Sequence, residues 1–446
     1  MTPDRDELNR RRKLREERRR KRRAQQRRMY LRLCLAAVVL IACGVTIFLM
    51  SRGGSRQAPV PTSEATEAPV YQGGDLEEET EAPTEDDKSS RTKAPTVIHL
   101  VAAGDLNVTD KVVWSGNTSG DFDYTKAFMD VAPIFAEADI SVLNFEGNLR
   151  GAPYGTATSS APQKLAEALK AAGVDLLQVA NSQSITGGMN GLISTLSNIR
   201  AAGLEPVGAF SSPEEFRKAK GYTICEVDGI KIAFVAFTKG MDGRGMPTGN
   251  EDCVNLLYTD YSTTYQDIDT DGITKILRSA ESEKPDLTVA LLHWGSEYND
   301  AVSSSQKSIT TLMQKEGVDA IIGTHPHMVH EISFNETTGQ LVAYSLGDFF
   351  GDGTRGGTNY SIILDLEITM DNETGETKIT DYTYTPIYIL SEDECDGDRR
   401  VIRIDNAIAA YEGNFVDKVT DSAYLSMKNA LERISNRVAP KKTDKE

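Results

Sequence analysis

The sequence predicts an α/β fold, because short apolar, β-branched runs alternate along the chain with longer segments that have the apolar period of a helix. The alternation occurs at the spacing of βαβ units, so we expect the strands to pair largely in parallel. The predicted strands are 97–103, 140–143, 176–180, 287–292, 318–323 and 342–346. The predicted helices are 124–137, 162–172, 191–202, 273–283 and 304–316, and a hairpin of 361–369 and 377–389 completes the sheet.

Polar residues follow these strands directly. Open α/β sheets bind ligands outside the carboxyl ends of their strands, so we expect these side chains to meet at one edge. A single aspartate in such a place is usually a turn residue or a cap, but mixed nitrogen and oxygen donors together are a typical metal-ligand set. The residues are Asp105, Asn144, Glu146, Asn181, His293, His325 and His327.

The histidines are few and clustered. Of five in the chain, three lie in the motifs His293-Trp294-Gly295 and His325-Pro326-His327. Histidine is the commonest neutral metal ligand, and two imidazoles on one turn can face a single point. We therefore predict that these three histidines bind metal, whereas His330 and His99 are ordinary structural residues. Trp294 fits core packing and a pocket wall equally well.

These motifs resemble those of the CapA/PgsA family of poly-γ-glutamate capsule synthesis proteins, whose domain has a calcineurin-like metallophosphoesterase fold. The resemblance covers roughly residues 96–350, and the order and spacing of the motifs agree. The two histidine motifs together are specific, while the Gly-Asp pair alone is weak. The matching segments are Gly104-Asp105, Asn144-Phe145-Glu146, Asn181, His293-Trp294-Gly295-Ser296-Glu297-Tyr298, Gly323-Thr324-His325-Pro326-His327 and Tyr344-Ser345-Leu346-Gly347-Asp348-Phe349.

The resemblance implies a metallophosphoesterase-like αββα sandwich that holds two divalent metal ions, with Mn, Zn and Fe all open as their identity. It places Glu146 in the bridging position between the ions. The implied ligands are Asp105, Glu146, Asn181, His293, His325 and His327. The implied catalytic positions are Gln183, Asp105 and His293, and the implied substrate contacts are Asn144, Trp294, Glu297 and Asp348.

The chain departs from the family where catalysis is concerned. The family's third motif usually reads Asn-Asn-His with an aspartate shortly after, but here it reads Asn181-Ser182-Gln183 and the aspartate is missing. Glutamine transfers no proton at neutral pH, and general acid catalysis is worth about 10²–10⁴-fold. Asn107 stands where true phosphoesterases have a histidine. Asp348 replaces the family's common asparagine, as a substitute ligand or a structural turn residue. The sequence therefore leaves enzymatic activity open.

A membrane anchor is predicted near the amino terminus. Residues 1–32 contain 15 Lys or Arg and 5 Asp or Glu, and 33–50 is an apolar run of 18 residues without charge. That length suits a transmembrane helix, and the positive-inside rule keeps the basic tail in the cytoplasm. A nucleic-acid-binding tail and a cleavable signal peptide are the alternatives, but the tail directly precedes the span and no obvious cleavage site precedes Arg52. We expect a single-pass plasma-membrane protein with its main domain outside the cell.

Composition divides the rest of the chain. Residues 51–95 form an acidic linker rich in Pro and Thr that we expect to be disordered, 96–390 the folded domain, and 391–446 an extension with a helix over 416–434. The net charge of −17 argues against a nucleic-acid partner. A polyanionic partner would need bound cations or local bases such as Lys239 and Arg244, which lie in a loop that is either a wall of the cleft or solvated surface.

Three functions fit these predictions. The first is a membrane-anchored extracellular protein that assists the synthesis or export of a capsule-type polymer such as poly-γ-glutamate, in contact with the membrane, the envelope polymer and membrane polymer-synthase subunits. The second is a two-metal phosphoester hydrolase. The third is a catalytically inactive module that binds a polymer or a partner in the metal cleft.

Overall fold

The computed structural model describes residues 94–394, 397–415 and 419–439. The predicted basic tail 1–32, the predicted span 33–50 and nearly all of the predicted linker 51–95 lie outside these residues. Within the described ranges, no helix combines the length and the apolar character that a membrane crossing requires.

The described residues contain fourteen strands, ten α-helices and a 3₁₀ turn at Glu251–Cys253. The strands are β1 (Thr96–Asn107), β2 (Ile140–Glu146), β3 (Leu176–Gln178), β4 (Glu205–Val207), β5 (Tyr222–Val227), β6 (Ile230–Thr238), β7 (Leu287–His293), β8 (Ala320–Thr324), β9 (Ile332–Phe334), β10 (Leu341–Ala343), β11 (Asp348–Phe350), β12 (Tyr360–Met370), β13 (Thr377–Leu390) and β14 (Arg400–Arg403). The helices are α1 (Asp110–Ser115), α2 (Thr125–Phe128), α3 (Ala132–Glu137), α4 (Gln163–Ala172), α5 (Gly188–Ala201), α6 (Pro213–Ala219), α7 (Thr270–Glu281), α8 (Ser304–Lys315), α9 (Ile404–Glu412) and α10 (Asp421–Val438).

The strands form two sheets. The first has the order β14-β13-β12-β1-β2-β3-β4, with β11 paired to β1, and the second has the order β5-β6-β7-β8-β10-β9. Strands β1 to β4 are parallel, and so are β6, β7, β8 and β10. Antiparallel strands complete both sheets, including the long β12–β13 hairpin. Strands β2, β7 and β8 are buried along their whole length, as expected of internal parallel strands.

The second sheet buries both of its faces. Phe234 of β6 belongs to the core that the second sheet shares with the first, and its neighbour Val235 points into a separate core with Ile273 of α7 and Ile309 of α8. Successive side chains of a strand point to opposite faces, so both faces are covered. Helices α4 and α5 bury leucines in the core of the first sheet. The fold is therefore a mixed α/β sandwich.

The predicted strands and the predicted hairpin are confirmed. The predicted helix 124–137 is wrong as one element, because the chain forms α2 and then α3. Pro133 lies in the first turn of α3. Proline has no amide hydrogen to continue a preceding helix, but it is well tolerated in a first turn.

The expectation of a single sheet edge is also wrong, because β1, β2 and β3 belong to the first sheet while β7 and β8 belong to the second. The hydrophobic pattern identifies strands, but it does not state which strands share a sheet. The sequence analysis also missed β6, although its run of nine residues is buried throughout apart from Lys231. As a result, the strand that leads into the loop of Lys239 was not predicted.

The segment after β13 adds one strand to the first sheet and two helices. Helix α10 buries Ala423, Met427, Ala430 and Ile434 on one face, at the three- and four-residue spacing of an amphipathic helix. It packs on β12 and β13. Thr420 caps its first turn by accepting the Ala423 N–H, so the helix begins later than predicted.

Candidate metal centre

The site lies where the carboxyl ends of both sheets meet. The first sheet contributes Asp105 from β1 and Glu146 from β2, and the second contributes His293 at the end of β7. Hydrogen bonds link the two sheets here: the backbone N–H of His325 donates to Oδ2 of Asp105 at 2.9 Å, and Asn144 Nδ2 lies 3.4 Å from His293 Nδ1. The predicted ligands therefore converge, although they come from two sheets.

Two glycines allow the first strand to carry Asp105 into this position. The register of β1 against β2 shifts between Ala103 and Asp105, which leaves Gly104 as the irregular residue. A side chain on Gly104 would stand 1.7 Å from the carbonyl oxygen of Gly347, and Gly347 itself has a φ of 81°. Only glycine fits such a close approach of two backbones. The contact aligns Asp105 with Asp348 in the short β1–β11 pairing.

The turn that carries the histidine pair is strained. His325 has a φ of 90° and His327 a φ of 58°, on either side of Pro326. Residues with side chains rarely adopt these left-handed conformations, and they do so mostly where the surrounding structure holds a functional group in place. The turn holds the two imidazoles near each other, with their ring centres 6.1 Å apart.

The first ligand cluster consists of Glu146, His293 and His325, whose potential ligand atoms all lie within 4.8 Å of one another. The rings of His293 and His325 are 4.4 Å apart. His293 Nε2 lies 3.5 Å from Glu146 Oε1, which is too long for a strong hydrogen bond. Glu146 Oε2, His293 Nε2 and His325 Nδ1 are all buried without a hydrogen-bond partner in the part of the chain that the structure describes. Buried polar atoms without partners are costly, and a bound cation would satisfy all three.

The second ligand cluster consists of Asp105, His327 and Asp348. His327 Nδ1 lies 2.7 Å from Asp348 Oδ1 and 3.7 Å from Asp105 Oδ2. Glu146 lies between the two clusters, because its other oxygen, Oε2, is 3.7 Å from His327 Nε2. Asp348 thus belongs to the ligand cluster and also holds a structural position, because its strand β11 pairs with β1.

Burial controls the charge of these groups. It lowers the pKa of His293 and His325 well below the ordinary histidine range, so both rings are neutral and keep a free lone pair for a metal ion. Burial raises the pKa of Glu146, while the neighbouring His327 works in the opposite direction. For His327, burial lowers the pKa, but nearby carboxylates, Asp348 first among them, outweigh it and hold the pKa well above its ordinary value. The carboxylates therefore favour a positive charge beside them, which the His327 imidazolium supplies here and which a bound cation would also supply.

Asparagines connect the carboxylates to the third motif. Asn144 Nδ2 donates to Asp105 Oδ1 at 2.6 Å, and Asn181 Nδ2 donates to Asn144 Oδ1 at 3.0 Å. The carboxamide oxygen of Asn181 accepts the backbone N–H of Gln183. Asn144 is buried within this series of hydrogen bonds. It therefore positions Asp105 and has no exposed surface that could contact a substrate.

The remainder of the third motif lies at the cleft. The Ser182 hydroxyl donates to Glu146 Oε1 at 2.5 Å, a contact that the sequence analysis missed. Gln183 Nε2 donates to Asp242 Oδ2 at 3.1 Å and to Ser182 Oγ at 3.3 Å. The position that the resemblance assigned to a catalytic histidine therefore holds a hydrogen-bonded amide beside the cleft.

Trp294 does not line the cleft. Its side chain is fully buried, its indole N–H donates to the carbonyl oxygen of Tyr344 at 2.9 Å, and its ring stacks on Tyr344. The structure thus places it in the core, where it cannot contact a substrate. Glu297, by contrast, is exposed at the rim of the cleft.

The cleft itself has a volume of about 250 Å³. Lys239, from the loop after β6, reaches into it, where Nζ donates to the carbonyl oxygen of Gly295 at 2.7 Å and lies over the ring of Tyr265. This loop does form a wall of the cleft, whereas Arg244 contacts the carbonyl oxygens of Ser182 and Met241. The lining residues are Ser182, Lys239, Gly240, Asp242, Tyr265, Ser296, Glu297 and His325.

The two histidines predicted to be structural lie outside both clusters. His99 pairs with Asp365 at 2.8 Å, on the surface of the first sheet. His330 is buried, and its Nε2 lies 2.8 Å from the carbonyl oxygen of Asn299. Neither of these hydrogen-bond partners belongs to a ligand cluster.

The residues present suit divalent transition-metal ions. Neutral imidazoles and carboxylates are the ligands that Mn, Zn and Fe share. Three groups of three are available among the described residues: the two clusters above and a third, more exposed group of Glu297, His325 and His327. When bound in such a site, a metal ion polarises a phosphoryl or carbonyl oxygen and lowers the pKa of a bound water. The protein residues supply neutral histidines, buried carboxylates and the Ser182 and asparagine hydrogen bonds that orient those carboxylates.

Comparison with known proteins gives the family. The model of the family described as bacterial capsule synthesis protein PGA_cap matches residues 99–352, more than half of the chain. The capsule biosynthesis protein CapA of Bacillus anthracis is 30% identical over 196 residues, which are 43% of this chain and 44% of that protein. The PGA biosynthesis protein CapA of Bacillus subtilis (strain 168) is 27% identical over 259 residues, 57% of this chain and 63% of that protein. The chain thus spans less than two thirds of the length of either relative.

Solved structures are similar at a low level. The calcineurin-like phosphoesterase YfkN from Bacillus subtilis is 15% identical at a TM-score of 0.40, covering 77% of this chain and 100% of that chain. A novel phosphatase from Mycoplasma pneumoniae is 13% identical at a TM-score of 0.40, covering 66% and 95%. Scores this low carry no weight in the assignment, which rests on the match to the family model. By that match, the chain belongs to the bacterial capsule synthesis protein PGA_cap family.

Proposed function

We propose that this protein assists the synthesis or export of a capsule-type polymer such as poly-γ-glutamate, as a membrane-anchored protein whose main domain lies outside the cell. Family membership supports the capsule role. The names of the two Bacillus relatives point to the same process, one of them to the polymer PGA. The anchor and its orientation rest on the sequence of residues 1–50. The proposed partners are the membrane, the polymer and the membrane subunits that polymerise it.

The proposal includes two divalent metal ions, held by the two ligand clusters with Glu146 between them. The observation that carries it is the set of three buried ligand atoms on Glu146, His293 and His325 that have no hydrogen-bond partner in the described ranges. The ions also address a charge problem. The chain has a net charge of −17, so a polyanionic polymer is repelled unless cations lie at the point of contact. Metal ions and Lys239 would supply that positive charge inside the cleft.

The test is the metal content of the purified full chain, measured by plasma mass spectrometry after loading with Mn²⁺ or Zn²⁺. We expect about two equivalents in the wild type, as in other two-metal sites, and a clear loss in a His293→Ala/His325→Ala variant. His99→Ala is the matched control, because it removes a histidine outside both clusters and should keep the full content. A folded wild-type chain that retains no metal after loading would contradict the proposal.

A second candidate function is hydrolysis of a phosphoester. The complete ligand clusters favour it, whereas Gln183 removes the proton donor that the resemblance implies. Restoring that donor with Gln183→His should raise phosphoesterase activity on a generic aryl phosphate, by up to about 10²-fold if proton transfer limits the rate. The metal content of the variant serves as its control. An unchanged rate in a metal-loaded variant favours a cleft that binds its polymer or partner without cleaving it.

A further inference from the structure

Three side chains are stacked in a row from the candidate metal centre to the surface: His327 is buried, Tyr298 half-buried and Arg355 exposed. The ring of Tyr298 lies on the ring of His327, with centres 5.3 Å apart and planes inclined by 23°. The guanidinium carbon of Arg355 lies 3.9 Å from the centre of the same tyrosine ring. We call this arrangement the mouth stack (His327, Tyr298, Arg355). It places a permanent positive charge one aromatic ring away from a member of the second ligand cluster.

The backbone holds the mouth stack in place from both sides. The N–H of Tyr298 donates to the carbonyl oxygen of Pro326, in the middle of the histidine turn, at 2.9 Å. On the other side, the carbonyl oxygen of Arg355 accepts both the N–H and the hydroxyl of Thr358. Gly357 approaches Met328 so closely that a side chain there would stand 2.6 Å from the methionine methyl group. The loop that carries Arg355 is therefore packed against the turn that carries His327.

The segment after β13 fixes the same loop. Arg399 is buried, and its Nη1 donates to the carbonyl oxygens of Gly351 and Asp352 at 3.1 Å each. Its remaining nitrogens form two hydrogen bonds with Glu392. Burying an arginine whose charge is paired in this way costs much less free energy than burying an unpaired one. Arg399 therefore holds the loop firmly. Arg355 is consequently presented on a fixed loop, just beyond the residues that match the family model.

Arg355 is exposed, and among the described residues its side chain pairs with no carboxylate. The chain has 66 acidic residues against 49 basic ones, so the lack of an ion pair at Arg355 does not come from a shortage of carboxylates. Its tyrosine contact occupies one face of the guanidinium and leaves the N–H edges free. Those edges match carboxylate and phosphate oxygens in pairs.

We infer that Arg355, seated on Tyr298, is a specificity-determining residue that binds an oxyanion of the polymer next to the metal centre. The inference rests on the proposed function, since it takes an anionic chain as the ligand of the cleft. Carboxylate groups and phosphodiester groups share the required chemistry. Tyr298 is the positioning residue: it holds the guanidinium in one orientation and contributes its ring, not its hydroxyl, to the site.

The test is the binding of two short fluorescent oligomers of equal net charge, one of γ-linked glutamate and one of glycerol phosphate, to the Mn²⁺-loaded full chain by anisotropy. Arg355→Gln should weaken binding of the recognised oligomer by about tenfold, the value of one charged hydrogen-bonded contact. Arg355→Lys should recover part of the affinity. Arg217→Gln is the matched control, because Arg217 is exposed on α6 away from the cleft. It should leave binding unchanged.

A double-mutant cycle tests whether Tyr298 positions Arg355. Tyr298→Phe keeps the ring and should bind as the wild type does, whereas Tyr298→Ala should weaken binding as Arg355→Gln does. The combination Tyr298→Ala/Arg355→Gln should add little further loss, since both changes remove the same contact. The oligomer whose binding responds to Arg355 identifies the oxyanion as a carboxylate or a phosphate.

Two results would overturn the inference: equal affinity of Arg355→Gln and Arg217→Gln for both oligomers, or no binding of either oligomer by the wild type. Metal content separates this failure from failure of the proposed function, because Arg355 contributes no metal ligand. If the wild type binds metal and Arg355→Gln leaves oligomer affinity unchanged, only the proposed Arg355 subsite is contradicted. If the wild type binds no metal but Arg355→Gln weakens oligomer binding, only the proposed metal centre is contradicted.

Discussion

The two ends of the parallel strands differ in whether their polar groups find hydrogen-bond partners. At the amino ends, four aspartates each precede a parallel strand, and each accepts a backbone N–H from the neighbouring strand. Asp139 accepts from His99, Asp175 from Ser141, Asp286 from Lys231 and Asp319 from Thr288, at 2.8, 3.1, 2.6 and 2.8 Å respectively. Each aspartate also donates its own N–H to the carbonyl oxygen of the same partner.

At the carboxyl ends, buried groups lack such partners. Glu146 Oε2, His293 Nε2 and His325 Nδ1 have none among the described residues. Folding satisfies its buried polar groups where it can, so the first set is explained by stability of the fold. The second set opposes stability, and it is the one that indicates function. The comparison predicts that changes at the two ends will have separable effects, one on metal binding and one on folding.

The largest expected effect is at the carboxyl ends. Glu146→Gln keeps the shape of the side chain but cannot supply a carboxylate to two ions. Metal affinity should therefore fall by at least about a hundredfold, which exceeds the usual effect of changing a residue that only hydrogen-bonds to a ligand. The stability of the metal-free protein should change little, because burial raises the pKa of Glu146 and disfavours its charge. Isothermal titration with Mn²⁺ and urea unfolding in a chelator measure the two quantities. A large loss of metal-free stability with intact metal binding would reverse the comparison.

A smaller effect is expected at the amino ends. Asp175→Ala removes the partner of the buried N–H of Ser141, and also an ion pair with Lys170 that is exposed and contributes little. The free energy of unfolding should fall by about 1–3 kcal/mol, the cost of leaving a buried donor unpaired. Metal content should stay at the wild-type value. Lys170→Ala is the control for the ion pair and should cost much less. Loss of metal in Asp175→Ala would show that the two ends are not independent.

The smallest effect concerns pH. Burial raises the pKa of Asp319 to about 6, although the Thr288 N–H works against the shift. A carboxyl group with a raised folded-state pKa stabilises the fold below its unfolded pKa, near 4, and that contribution is lost as the pH rises through about 6. Asp319→Asn should therefore gain stability relative to the wild type between about pH 4 and pH 7, by roughly 1 kcal/mol for a side chain that is partly exposed.

Urea unfolding of both chains across this range, in a chelator, provides the measurement. Asp286 has a similar hydrogen bond but an exposed side chain, so Asp286→Asn is the matched control and should follow the wild type more closely. A difference between Asp319→Asn and the wild type that does not vary with pH would show that the hydrogen bond, rather than the charge, dominates at this position.

Much of the fold could be predicted because its signals are local. Apolar runs such as those of β7 and β8 stand out in the sequence, and so do the polar residues that follow them. The four capping aspartates were not predicted, even though each directly precedes a strand. A single aspartate there is common in turns, and only the paired strand reveals its hydrogen-bond partner. The division of the strands into two sheets was missed for the same reason.

The candidate site shows the same limit. His293, His325 and His327 could be chosen from the sequence because histidine is scarce in this chain and these lie at strand ends. Trp294 could not be assigned, since a tryptophan next to a ligand fits the core and the cleft equally well until packing is known. Arg355 carried no signal at all in its glycine-rich loop.

By itself, the sequence determined most of the central parallel strands, the longer helices and the residue types at the strand ends, because these depend on side-chain pattern over short distances. The tertiary structure decided which atoms meet. It brought Asp348 beside Asp105 through β11, set Glu146 between the two clusters, buried Trp294 and seated Arg355 on Tyr298. Each of these contacts joins residues far apart in the chain. Such contacts depend on how two sheets pack, and no local pattern encodes that packing.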